Sequence, residues 1–159
     1  MKGKRFNQAC TRQLGLTLIE LMVTLAVAIA LMAVGIPMYS GVVANNRVVT
    51  QTNQLVSALN LARSEAVKQG ATVSVAPAVG GWNKGWKVSL GSTEIRRWGP
   101  FDRELLITTL VSTVEFGRDG AAAAAAEFEI SRAGSTSSTP RCVTTLESGV
   151  IRSERGACP

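Results

Sequence analysis

Histidine is absent from the 159 residues, and with it the side chain most used as a general base and metal ligand near neutral pH. Most hydrolytic triads and zinc sites are thereby excluded. Cysteine is scarce: Cys10 lies in a basic leading segment, while Cys142 and Cys158 stand near the end with 15 residues between them. No Cys-x-x-Cys spacing and no further ligand completes a redox or metal centre around that pair, so one structural disulfide in an oxidising compartment is expected. Nucleophile signatures such as Gly-x-Ser-x-Gly are missing as well, and Lys68 stands one residue too far from Ser64 for Ser-x-x-Lys. The chain is expected to be no enzyme and to hold no cofactor or metal.

Acidic residues are fewer than basic ones, 11 against 17, for a net charge of +6. Lys2, Lys4, Arg5 and Arg12 all precede residue 16 with no acid among them. Without that segment the balance is only +2, so overall basicity says little about a polyanionic partner.

Charge is nearly absent from Leu16 to Tyr39, 24 residues in which only Glu20 is ionisable by charge type. At about 1.5 Å per residue this is long enough to cross a bilayer core of about 30 Å. A secretory signal would have an apolar stretch of only about 7 to 15 residues. Four Lys/Arg precede the run and only Arg47 follows within twenty residues, which places the N-terminus in the cytoplasm and the bulk outside. Gly35, Pro37 and Gly41 fall late in the run, where a kink or local melting is expected, centred on Pro37.

Beyond it, residues 40–70 carry Val48, Leu55, Leu59, Ala62 and Ala66 at three- and four-residue steps, with Arg63, Glu65 and Lys68 on other faces. This predicts an amphipathic helix ending at Gly70. The period then changes to two in residues 71–159: Val73 and Val75; Trp86, Val88 and Leu90; Leu105, Ile107, Thr109 and Val111; Val114 and Phe116; Phe128 and Ile130. These predict short strands, separated by glycine-bearing turns. The tract 121–126 is read as a connection and residues 134–139 as a polar loop. The fold class expected is α+β: a long N-terminal helix whose second half packs on an antiparallel sheet, drawn most simply as one sheet.

At Gly15 to Met22 the chain reads Gly-Leu-Thr-Leu-Ile-Glu-Leu-Met, and here it resembles the type IV prepilin family. The resemblance rests on a basic leader ending in Gly15, then Thr17, the Leu-Ile-Glu triplet with Glu20 fifth after the glycine, and Pro37 farther along. It implies that residues 1–15 are a leader removed by a prepilin peptidase between Gly15 and Leu16, with Leu16 then N-methylated; most members have Phe at that first position. Residues 16–39 would be the membrane and assembly helix in the bacterial inner membrane, residues 71–159 a periplasmic head, and the final location a filament or its tip.

An ionised carboxylate at membrane depth costs about 2 kcal/mol or more, which the cationic amine of a neighbouring subunit would offset by pairing with Glu20 in the filament. The competing account is that Glu20 reaches back to the headgroups.

Farther on, Leu59 to Val67, Trp82, Gly85-Trp86, Phe116 to Gly120, and Gly149 with Arg152 follow an order similar to the GspH/FimT/FimU family of minor pilins and pseudopilins. That likeness implies a structural subunit priming or capping a type IV pilus or a type II secretion pseudopilus, with other minor pilins or pseudopilins, the major pilin and inner membrane lipid as partners. Each of these residues also has a plain structural reading: Arg63 and Glu65 as a solvated helix face, Trp82 and Trp86 as packing, Gly117 and Gly120 as turn formers.

One branch, the FimT-like pilins of transformable bacteria, binds DNA through a C-terminal Gly-Arg-x-Arg motif. Here the corresponding residues are Gly149, Val150, Ile151 and Arg152, without the first arginine. Arg132, Arg141, Arg152 and Arg155 remain as candidate phosphate contacts, with Arg96-Arg97-Trp98 as a second patch. Ordinary surface charge is the competing reading.

Overall fold

The computed structural model describes Gly15 and residues 17–101, 105–133 and 139–159, without the side chains of residues 35–38, 40 and 44. The leader, Cys10, Leu16 and most of the polar loop 134–139 therefore lie outside the described residues. Among the described residues one helix, α1 (Leu18–Gln69), precedes eight strands: β1 (Val73–Ala78), β2 (Gly81–Leu90), β3 (Thr93–Trp98), β4 (Leu105–Thr108), β5 (Val114–Phe116), β6 (Ala126–Arg132), β7 (Arg141–Thr145) and β8 (Ile151–Arg155). The chain divides into two compact units, residues 1–38 and 39–159, with α1 contributing to both.

Thr17 starts α1 by accepting the Glu20 amide on its Oγ1 at 3.3 Å, while its carbonyl accepts the amide of Leu21. Both are N-terminal groups that no preceding turn could satisfy. The backbone stays helical through residue 37, so the local melting expected around Pro37 does not occur. Proline in a helix removes one hydrogen bond and leaves the flanking ladder to hold the turn. The Pro37 side chain lies outside those described. At the far end Gly70 turns left-handed at φ +62° and Ala71 N–H reaches back to the Ala66 carbonyl at 3.2 Å, closing the helix as its sequence predicts.

In the second unit, Val48, Thr52, Leu55, Leu59, Ala62 and Ala66 form the buried stripe, spaced at four and three residues as a 3.6-residue period requires. Thr52 is admitted because its hydroxyl donates to the Val48 carbonyl at 2.8 Å. The small Ala58, Ala62 and Ala66 make room along the same side for bulkier strand residues.

The head has two four-stranded antiparallel sheets rather than one, in the orders β3-β2-β1-β5 and β4-β6-β7-β8. Alternation predicts which side of a strand is buried, but not which strand it pairs with. The inner faces supply Val73, Val75, Trp86, Val88, Val114 and Phe116 from the first sheet, and Leu105, Ile107, Phe128, Ile130 and Val143 from the second. Together with the helix stripe these make one hydrophobic cluster. Each such side chain contributes about 1.5 to 3 kcal/mol by leaving water.

The two sheets are tied beneath β2. Trp82 meets Phe128 edge to face at 4.9 Å and donates its indole N–H to the Val111 carbonyl at 3.1 Å. Asn83 Oδ1 accepts the Ile107 amide. Trp82 and Trp86 are packing residues, as their plain reading held.

Candidate functional site: the apolar stem and the charged faces of the head

In the first unit the described apolar side chains are not covered by the chain itself. Leu18 is 79% exposed, Leu31 69% and Val34 69%, and the large residues between them are exposed too. Among the described residues no helix is long and apolar enough to cross a membrane. The apolar run read from sequence extends to Tyr39. Glu20 sits one turn from the start of this segment, and among the described residues its carboxylate has no ion-pair partner. Thr17-Leu18-Ile19-Glu20 also has the spacing of a capping box, in which the acid assists the helix start. The sequence carried that signal beside the prepilin one.

The four arginines Arg132, Arg141, Arg152 and Arg155 do not all share one side of the sheet. Along β6, β7 and β8, alternate residues face opposite sides of the sheet. Arg132 continues the Phe128 and Ile130 series, Arg141 continues that of Val143, and Arg155 pairs directly with Arg141. These three lie on the inner side, toward one end of the second sheet. Arg152 has the other parity and shares the outer side with Glu154, Glu127 and Glu129, an environment dominated by carboxylates. In the other proposed patch, Arg96 lies over the Trp98 ring at 4.8 Å, while Arg97 forms an ion pair with Glu94. That hydrogen bond holds the Glu94 carboxyl below its ordinary range and raises Arg97.

Arg63 is not a solvated helix residue. It is half-buried, and its Nε donates to the Gly120 carbonyl at 3.1 Å, tying α1 to a loop 57 residues away. Gly120 (φ +78°) faces Val67 and Arg63, and a Cβ there would press on both. It is thus a contact point for the helix as well as a turn former. Glu65 is half-buried as well, with its carboxylate hydrogen-bonded by Gln69 at 3.0 Å and paired with Lys68 at 3.4 Å. Cys142 and Cys158 are bonded, with Cα atoms 5.0 Å apart. Among the described residues no cluster of acids or cysteines could hold a metal ion.

A single helix with an uncovered apolar start and a sheet-covered second half, followed by a β head, is the type IV pilin-like fold. The family model described as type II transport protein GspH matches residues 51–149, and the chain belongs to that family, one of structural pilin subunits. The structure is similar to the type IV minor pilin FimU of Pseudomonas aeruginosa strain PAO1, at 24% identity and a TM-score of 0.60 over 69% of this chain and 89% of that one. It is also similar to the minor pseudopilin EpsH of the type 2 secretion system of Vibrio cholerae, at 14% identity and a TM-score of 0.52 over 65% of this chain and 92% of that one. No curated protein sequence matches the chain.

Proposed function

We propose that this chain is a minor pilin or pseudopilin that primes or caps a filament of the type IV pilus or type II secretion kind. In this reading a prepilin peptidase removes residues 1–15 between Gly15 and Leu16 and methylates Leu16. Residues 16–39 hold the subunit in the inner membrane with the head on the periplasmic side, until it joins other pilins in the filament. Pro37 introduces the bend that such a helix needs between lipid and filament packing.

The observation that carries the proposal is the uncovered apolar surface from Leu18 to Val34, broken only by Glu20. Lipid first and sibling helices later would cover it, and a neighbour's N-terminal ammonium would neutralise Glu20. The test is Glu20→Ala in cells with the processing machinery. Membrane insertion and leader removal should be normal while incorporation into filaments is lost. Normal incorporation would refute the pairing role, and an unprocessed N-terminus in wild-type material would refute the prepilin assignment.

DNA binding is the weaker reading. Arg152 is divided from Arg132, Arg141 and Arg155, so the four candidates do not form a single basic strip among the described residues, and Arg97 is already paired.

A further inference from the structure

At one end of the second unit, a cleft of about 240 Å³ lies between α1 and the paired ends of β7 and β8, lined by Asn45, Asn46, Val49, Thr139, Arg141 and Arg155. Arg141 and Arg155 stand directly opposite each other on neighbouring antiparallel strands, an arrangement that costs stability unless a negative charge sits between them. Among the described residues none sits between them. Neither arginine has an ion pair among the described residues, no acid occurs in residues 39–64 or 133–141, and Glu154 points to the opposite face of β8. Arg141 is moreover half-buried, so water screens it incompletely. The amides of Asn45 and Asn46 and the hydroxyl of Thr139 add neutral hydrogen-bonding groups. Two guanidinium forks with such neighbours suit the oxygens of a phosphate.

The position along the helix says which phosphate. Tyr39, the only tyrosine of the chain, ends the apolar run and is 71% exposed, as aromatic residues at a membrane boundary are. Asn45 follows six residues later, or about 9 Å along the helix axis. The polar headgroup layer is about 5 to 8 Å thick on each side of the hydrocarbon, and long arginine side chains extend the reach of the site toward it. We propose that this cleft binds the phosphodiester of an anionic lipid, such as phosphatidylglycerol, in the leaflet facing the head. The site would fix the height of the head above the membrane before assembly. The inference rests on the membrane-anchored reading given above.

The full chain, purified in a neutral detergent and mixed with phosphatidylcholine and phosphatidylglycerol, would be assayed by native mass spectrometry for the lipids it retains. Wild type should favour phosphatidylglycerol by about fivefold for each arginine engaged. The pair Arg141→Gln and Arg155→Gln should lose that preference, and the pair Arg141→Lys and Arg155→Lys should keep part of it, whereas Arg118→Gln should change nothing. Circular dichroism would verify that each variant is folded. An unchanged preference in the double Gln variant overturns the proposal. So does displacement of the lipid by millimolar inorganic phosphate, which would mark a free-anion site, or capture of a short DNA duplex in place of lipid. Alkaline carbonate extraction separates the two levels: a chain released from membranes defeats the anchor itself, while a chain that stays in them yet shows no lipid preference defeats only the cleft.

Discussion

Gly149 lies against the carbonyl oxygen of Gly120 so closely that a Cβ on Gly149 would overlap it. Arg63 donates to the same oxygen. Helix α1, the loop after β5 and the turn between β7 and β8 thus meet at one peptide group, and Gly149 is also left-handed at φ +77°. Gly149→Ala should therefore cost about 2 kcal/mol or more, combining the backbone penalty with the displacement of that carbonyl. Gly91→Ala is the comparison: φ is +57° with open space around the added methyl, so about 1 kcal/mol is expected. Denaturant unfolding of both variants would check the ranking, and equal losses would show that the Gly120 approach is unimportant.

Joining Cys142 to Cys158 closes a loop with 15 residues inside it. Cys142→Ser with Cys158→Ser should lower unfolding free energy by about 3 kcal/mol. Full reduction of the wild type should reproduce the loss, read as the shift in denaturant midpoint.

Two separable duties are proposed for Glu20, a charge for a partner and an acid at the third position of the helix. Glu20→Gln keeps the hydrogen-bonding pattern of a capping box but not the charge. Filament incorporation is expected to fail for Glu20→Gln as for Glu20→Ala. Recovery in the Gln variant, measured by co-purification with sheared filaments, would assign the residue to helix initiation instead.

Acid titration should register the surface pairs. Glu94 is held below its ordinary range first by its hydrogen bond from Arg97, and Glu65 first by its hydrogen bond from Gln69. A carboxyl depressed in the folded state contributes stability above its unfolded value, and that contribution fades as pH falls through the folded one. Glu94→Gln and Glu65→Gln should accordingly narrow the gap between stability at neutral pH and stability below about pH 4, without moving the alkaline limb. The effect should shrink in high salt, more for the exposed Glu94 than for the half-buried Glu65. Thermal midpoints across pH 2 to 8 would measure it, and a change on the alkaline side alone would contradict it.

Leu59 is fully buried in the helix stripe. Leu59→Ala should cost about 2 to 5 kcal/mol, while Asn60→Ala next to it, on the exposed face, should cost far less. Comparable losses from the two would contradict the assigned helix orientation.

Much of this architecture was legible because periodicity is a property of single segments. Val48 to Ala66 announced the helix stripe, and Val73, Val75, Phe128 and Ile130 announced inner strand faces. β3, β7 and β8 were missed. β3 carries Glu94, Arg96 and Arg97 on an edge whose alternation is broken by a bulge opposite Val88 and Ser89, and β8 has one apolar residue in five. Charged, irregular edges protect a sheet from unwanted pairing and erase its signal. Once β8 is recognised as a strand, parity alone sets Arg152 apart from Arg155. The tie between Arg63 and Gly120 had no local trace, since its partners are 57 positions apart.

Because α1 serves both units, its backbone amides experience two unrelated protections. From Val48 to Ala66 they are shielded by the sheets and should exchange hydrogen only when the whole head opens. Those between Leu18 and Val34 answer to whatever surrounds the subunit, so moving it from bilayer to detergent to filament should change their exchange while leaving the later turns untouched. One helix thereby carries its own internal reference for reporting assembly.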